Sequence, residues 1–170
     1  MAAVPRCTSP RIEIHKAKRS LALYCGEALK VRLKVALGGE PEGAKLRQGD
    51  HKTPVGEYRV VTRNRRSRFH LFLGLSYPNI ADAKRALGER RISRSHYQRV
   101  VLAITQGRRP PWNTAMGGAI GIHGVGKRWG FLGSIHRASD WTDGCIAVTN
   151  DEIEKIWGMA PMGTRVSILK

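Results

Sequence analysis

Residues 28–36 read ALKVRLKVA, from Ala28 to Ala36, with leucine or valine alternating with lysine or arginine along the run. A period of two puts the apolar side chains on one face and the charged ones on the other, which predicts a strand with one wet face. Upstream, Arg11 to Lys16 and Ser20 to Cys25 are also strand-like, and the connections are short: a charged one, then Gly26-Glu27, with GGEPEG closing the third stretch. Tight turns of this kind predict antiparallel neighbours. Downstream, Tyr58 to Thr62, His70 to Tyr77, Ala119 to His123, Cys145 to Thr149 and Arg165 to Leu169 are further strand candidates bounded by Gly, Pro, Asn or Asp. Helical pattern falls at Ile80 to Gly88, at Ser93 to Gln106, and after Asn150, where Asn-Asp-Glu supplies a cap and an acidic first turn. Gly107 to Gly118 and Gly124 to Gly144, rich in Gly, Pro, Trp and Asp, are expected to be irregular loops. The expected fold is mainly β with short peripheral helices (α+β), one domain over 1–170 with its core from about residue 11 onward.

A chain of 170 residues suits one core, and 41% hydrophobic residues are enough to fill it. No apolar run approaches the roughly 18–20 residues that cross a bilayer. The opening MAAVPRCTSPRIEI also lacks the apolar stretch of a signal peptide. Thirty Lys and Arg against thirteen Asp and Glu give a net charge of +17, which suits an anionic partner. A nucleic-acid-binding domain is therefore the rival reading, drawing on Arg63-Asn-Arg-Arg, Lys84-Arg85, Arg90-Arg91 and Arg108-Arg109. Against it, these cations are spread over several segments, and no helix-turn-helix, zinc-finger or RNA-recognition signature accompanies them.

Cys7, Cys25 and Cys145 form no CxxC pair, which disfavours a structural zinc site. Cys7 and Cys25 read as small buried residues. Should they pair in an oxidising compartment, one thiol would remain free.

That third cysteine sits in the one constellation that points to chemistry. IGIHGVG surrounds His123 and DWTDGCIAVTN surrounds Cys145, 22 positions later. A histidine at a strand end can act as base, and a cysteine after glycine in a tight turn can present its sulfur beside backbone N–H groups. Gly144 would let the chain bend and a substrate carbonyl approach. The thiol would act as thiolate, lowered from an ordinary pKa of about 8.5 by an imidazole and a positive field. A buried strand cysteine and an unrelated histidine remain the plainer alternative on residue types alone.

IHG, a spacer of about twenty residues and Thr-Asp-Gly-Cys-Ile closely resemble the signature of the L,D-transpeptidase (YkuD-type) catalytic domain. The segments from Leu21 to Val60 and from Ser67 to Ala83, then GGAIGIHG and SDWTDGCIAVTNDEIEKIW, resemble its YafK-like branch. The resemblance implies a catalytic domain on a mixed β-sandwich, with Cys145 as nucleophile, His123 as base and the amides of Gly144 and Cys145 as oxyanion hole. On the substrate side it implies Thr142, which orients the loop or meets substrate, together with Gly124, Asp143 and Trp141. Asp143 stands where a second His is frequent, and Ala147 where an Arg is frequent, so donor carboxylate recognition passes to another residue. Arg63 is the candidate, since a guanidinium matches a carboxylate bidentately. Asn64 and Ser67 accompany it in a segment resembling one near the family's cleft.

The implied substrate is a peptidoglycan stem peptide, cut after its third residue through a thioester, with an amine or water as acceptor. The implied partners are those stem peptides and a peptidoglycan-linked lipoprotein, in the cell envelope or periplasm. No cofactor is called for. Of the remaining residues, His136 and Asp140 read as solvated loop residues, though they could support His123, and Trp129 and Trp141 read as anchors or as walls of the site. A metal held by His123, His136, Asp140 and Cys145 is a further alternative.

Overall fold

The computed structural model describes residues 7–170. Its strands are β1 (Pro10–His15), β2 (Ser20–Cys25), β3 (Ala28–Lys34), β4 (Gly56–Ser67), β5 (His70–Leu75), β6 (Gly121–His123), β7 (Ile146–Ala147) and β8 (Arg165–Leu169). They form one eight-stranded sheet in the order β3-β2-β1-β8-β4-β5-β6-β7. The β1–β8 and β6–β7 pairs are parallel and the others antiparallel, so the sheet is mixed. It curls on itself. Isolated bridges join Ala36, just past β3, to Ala147 in β7, and Gly38 to Thr142. The two edges of the sheet, β3 and β7, are thereby tied together, which limits exposed edge.

The opening hairpins follow the alternation of their sequence. Ile12, Ile14, Leu21 and Leu23 are fully buried, and with Leu73, Leu75, Ile122, Ile146, Val166 and Ile168 they build the main core. Ile153 and Ile156 of helix α4 (Asn150–Met159) close it. Truncating one such isoleucine to alanine would cost about 2–5 kcal/mol. A smaller cluster lies under α1 (Ile80–Gly88) and α2 (Arg94–Thr105), where Ala83, Ala86 and Val100 meet Met116.

Capping explains where the helices begin. Asn79 and Asp82 form a reciprocal capping box on α1, and Ser93 caps α2. On α4 the cap is Thr149 with Glu152, one residue before the expected Asn150.

Four expectations are corrected. The strand expected at Tyr58–Thr62 runs from Gly56 to Ser67, because the arginine-rich RNRR is the exposed arm of the β4–β5 hairpin. The pairing of the short strands β6 and β7 is confined to Gly121–His123 and Ile146–Ala147, inside the expected runs. The segment from Gly124 to Gly144 is not wholly irregular: α3 (Gly126–Trp129) leads into a kinked 3-10 segment, Gly130–Ala138. Cys7 and Cys25 are joined in a disulfide that ties the chain before β1 to the end of β2, so they are not free small hydrophobes.

Candidate active site

His123 ends β6, pairing with Phe72 of β5 on one side and with Ala147 of β7 on the other. Cys145 immediately precedes β7, whose Ile146 pairs with Ile122. Strand pairing thus brings two residues 22 positions apart to neighbouring places. Both open on one cleft of about 640 Å³, together with Trp141, Thr142 and Asp143.

The imidazole is 1% exposed, and Phe69 stacks on it with ring centroids 4.2 Å apart. Its Nδ1 lies 2.6 Å from the Gly124 carbonyl oxygen, which can only accept. Nδ1 therefore carries the proton, and Nε2 is the nitrogen free to act as a base. Burial lowers the pKa of His123 to about 4, with the Gly124 bond opposing and the charges of His136 and Arg68 adding to the fall. Gly124 is required sterically, since a Cβ there would stand 2.5 Å from Asn150 Oδ1 and 2.9 Å from the Phe69 carbonyl oxygen.

The half-buried Cys145 donates its S–H to the Ala119 carbonyl oxygen at 3.4 Å. Ala119 presents that oxygen from a left-handed backbone with φ of 54°. Burial, reinforced by Asp143, raises the thiol pKa to about 11, while a backbone bond at Gly121 and the cations Lys45 and Arg68 counter it. The two shifts run opposite to those of a resting thiolate–imidazolium pair. Both shifts favour the neutral forms, a thiol and an imidazole, in the free site, so the thiolate has to form as the reaction proceeds.

The loop before the cysteine is pinned to the segment after β3. The N–H groups of Trp141 and Thr142 both donate to the Leu37 carbonyl oxygen at 3.1 Å, and Gly39 N–H donates to Thr142 O at 3.0 Å. Asp140 accepts from Leu37 N–H at 2.9 Å and from Arg19 Nη2 at 2.9 Å, so it is a brace for the loop and not a solvated residue. Thr142 Oγ1 donates to Cys145 O at 2.7 Å and accepts from Gly144 N–H at 3.1 Å. The Gly144 amide is therefore engaged, whereas Cys145 N–H has no protein acceptor among the described residues. Gly144 adopts φ of 135°, and a Cβ would lie 2.6 Å from the Lys52 carbonyl oxygen. Only glycine fits the turn.

Arg63 does not face this cleft. Its guanidinium stacks on Trp157 at 4.0 Å and donates to the Trp157 carbonyl oxygen at 2.7 Å, fastening β4 to α4. Neighbouring strand residues point to opposite faces, and it is Asn64 that lines the cleft. Past the irregularity in the β4–β5 register, Arg66, Ser67 and Arg68 line it too. Arg63, expected as the carboxylate binder, therefore lies outside the cleft, and the arginines that line it are Arg66 and Arg68. Lys45, a further lining residue, is buried and paired with Asp50 at 2.7 Å.

Asp143 is exposed at the rim, with His51 Nδ1 3.1 Å from its carboxylate. Trp141 walls the cleft and stands edge-on to His123 at 6.1 Å. Its indole N–H donates to His136 Nδ1 at 3.4 Å. His136 is buried, not solvated, with burial lowering its pKa. Its indole bond and the bracing bonds of Asp140 tie both residues to partners other than His123. No group of three His, Cys, Asp or Glu able to hold a metal occurs among the described residues.

The family model for the L,D-transpeptidase catalytic domain, YkuD, matches residues 9–168. The chain belongs to this family. It has no match among curated protein sequences. Among solved structures it is similar to the helical cell shape determining protein Pgp2 of Campylobacter jejuni, with 22% identity and a TM-score of 0.59, covering 94% of this chain and 47% of that one. It is also similar to a cysteine-to-serine mutant of the Enterococcus faecium L,D-transpeptidase, with 12% identity, a TM-score of 0.51, and 95% and 50% of the two chains covered. An L,D-transpeptidase from Mycobacterium smegmatis matches at 12% identity and a TM-score of 0.51, over 95% and 59%. These likenesses show the fold, and the chain spans about half the length of the structures it matches. The L,D-transpeptidase fold follows from family membership.

Proposed function

We propose that this L,D-transpeptidase domain cleaves a peptidoglycan stem peptide through a thioester on Cys145. The observation that carries the reading is the bond between His123 Nδ1 and Gly124 O, which leaves Nε2 without a protein partner among the described residues while His123 and Cys145 line one cleft. As the sulfur attacks the carbonyl of the third residue, the S–H proton passes to Nε2 and the S–C bond forms. The neutral resting pair makes this a coupled step in which His123 acts as general base. Cys145 N–H is the oxyanion donor, while Gly144 N–H stays on the Thr142 hydroxyl that holds the turn. Collapse breaks the peptide C–N bond, and the imidazolium returns its proton to the leaving amine.

Arg66 and Arg68 supply the carboxylate recognition that Ala147 cannot, and Trp141 and Phe69 wall the peptide. Transfer requires a second site that holds an amine near the thioester and keeps water away, and no described residue is assigned to that task, so hydrolysis by water competes with transfer to an amine. This favours the hydrolytic direction associated with the YafK-like branch, on stem peptides or on a stem-to-lipoprotein linkage. The Cys7–Cys25 disulfide supports an oxidising setting such as the envelope or periplasm. Among the described residues no helix is long and apolar enough to cross a membrane. Incubation with purified muropeptides, with and without a saturating amine and with and without linked lipoprotein, tests the reading by mass spectrometry. Loss of the terminal D-residue or release of lipoprotein is expected, and products dominated by new cross-links would reverse the assigned direction.

A further inference from the structure

From Gly124 to Ser139 the chain carries Lys127, Arg128 and Arg137 and no Asp or Glu. Arg137 is engaged by Glu152, while Lys127 and Arg128 are exposed. The short helical turns of this segment push three large apolar side chains outward: Trp129 is 48% exposed, Phe131 79% and Ile135 70%. The Trp129 and Phe131 rings lie 6.3 Å apart, and the Arg128 guanidinium stands 5.2 Å over the indole. An apolar pocket of about 340 Å³ continues from Trp129 and Ile135 past Leu132 to Trp141.

Clustered exposed side chains of this size mark a surface that meets something apolar. The charge around them says what. A purely apolar protein partner has no use for the flanking cations, whereas an anionic bilayer surface offers phosphates outside and acyl chains beneath. Trp and Phe settle at headgroup depth, and Lys and Arg beside them are drawn to anionic lipid. The net charge of +17 adds long-range attraction of the same sign.

We propose that Trp129, Phe131 and Ile135 form a knob that docks the chain on an anionic phospholipid surface, with Lys127 and Arg128 on the lipid phosphates. Trp141 belongs both to this apolar pocket and to the cleft of Cys145. Docking therefore sets the cleft mouth beside the membrane. The proposal stands on the exposed patch and its charge, independently of the reaction assigned above.

The test is co-sedimentation of the full chain with phosphatidylglycerol–phosphatidylethanolamine vesicles and with phosphatidylcholine vesicles. The parent should partition to the anionic vesicles, and a Phe131→Ser, Ile135→Ser double variant should lose about tenfold or more in partition. Circular dichroism and melting confirm its fold. Should that variant not fold, Lys127→Glu with Arg128→Glu, which keeps every apolar group, should give a loss of similar direction. Equal partition of parent and folded variants, or no partition of the parent, overturns the proposal. Sedimentation velocity that shows a parent dimer dissociated by the serine substitutions also overturns it, assigning the patch to a second copy.

Discussion

The Thr142 hydroxyl spans the turn that presents Cys145, donating to the Cys145 carbonyl oxygen at 2.7 Å and accepting from Gly144 N–H at 3.1 Å. Thr142 is 5% exposed, so water cannot readily replace it. Thr142→Val should cost about 2 kcal/mol of stability, since Gly144 N–H is left buried and unpaired. It should lower kcat by about tenfold to a hundredfold with KM little changed, because a misplaced sulfur and amide weaken the transition state alone. Thr142→Ser should restore most of both. Urea unfolding and steady-state kinetics on muropeptides check the pair of outcomes.

Burial of His123 predicts an acid sensitivity with a definite window. Its folded pKa of about 4 lies below the ordinary 6.5, so between those values the unfolded chain holds a proton that the folded chain does not. Stability therefore falls as pH drops from 6.5 toward 4, by roughly 3 kcal/mol in all, and is unaffected by this group above that window. In His123→Gln this contribution should vanish, and the difference in unfolding free energy between parent and variant, followed against pH, reads it directly. The acid limb of kcat/KM should likewise lie near the lower pKa and not near that of a free imidazole.

The two arginines two strands' faces apart should separate cleanly. Arg68→Gln should raise KM for a stem peptide with a free terminal carboxylate by about tenfold or more, from loss of a charged hydrogen bond. Arg63→Gln should leave KM unchanged and cost about 1 kcal/mol, from the lost stack and hydrogen bond to Trp157. Kinetics and melting of both variants test the assignment.

Much of this was legible because local chemistry and the fold agree. The alternation in ALKVRLKVA, the acidic helix start in the Asn-Asp-Glu run at Asn150, and the His123 and Cys145 motifs all carry their signal within a few residues. What escaped depends on neighbours distant in the chain. Arg63 and Arg66 look interchangeable in RNRR, and only the face taken by each along β4, with its irregular register, sends one to Trp157 and the other to the cleft. A strict count of alternate positions from Asn64 would already have turned Arg63 away. Asp140 reads as a loop residue until Leu37 and Arg19, more than a hundred positions earlier, supply its partners. The pairing of Cys7 with Cys25 depends on β1 folding back along β2. The direction of the Cys145 and His123 pKa shifts follows from burial, which no motif states.

The disulfide predicts a stability effect without a catalytic one. Cys7→Ser with Cys25→Ser should lower unfolding free energy by about 3 kcal/mol, as expected for a closed loop of this length. Muropeptide turnover below the melting transition should stay near the parent rate, since neither cysteine lines the cleft.

The acyl group on the Cys145 sulfur is itself open to measurement. Rapid acid quench of the parent with a muropeptide donor, followed by intact-mass analysis and peptide mapping, reads that bond directly. The expected adduct equals the donor minus its leaving D-amino acid and maps to the peptide holding Cys145. Cys145→Ala, folded by circular dichroism, should give neither adduct nor turnover. Turnover by Cys145→Ala near the parent rate, or an adduct mapped to another residue, would remove Cys145 from the role of nucleophile.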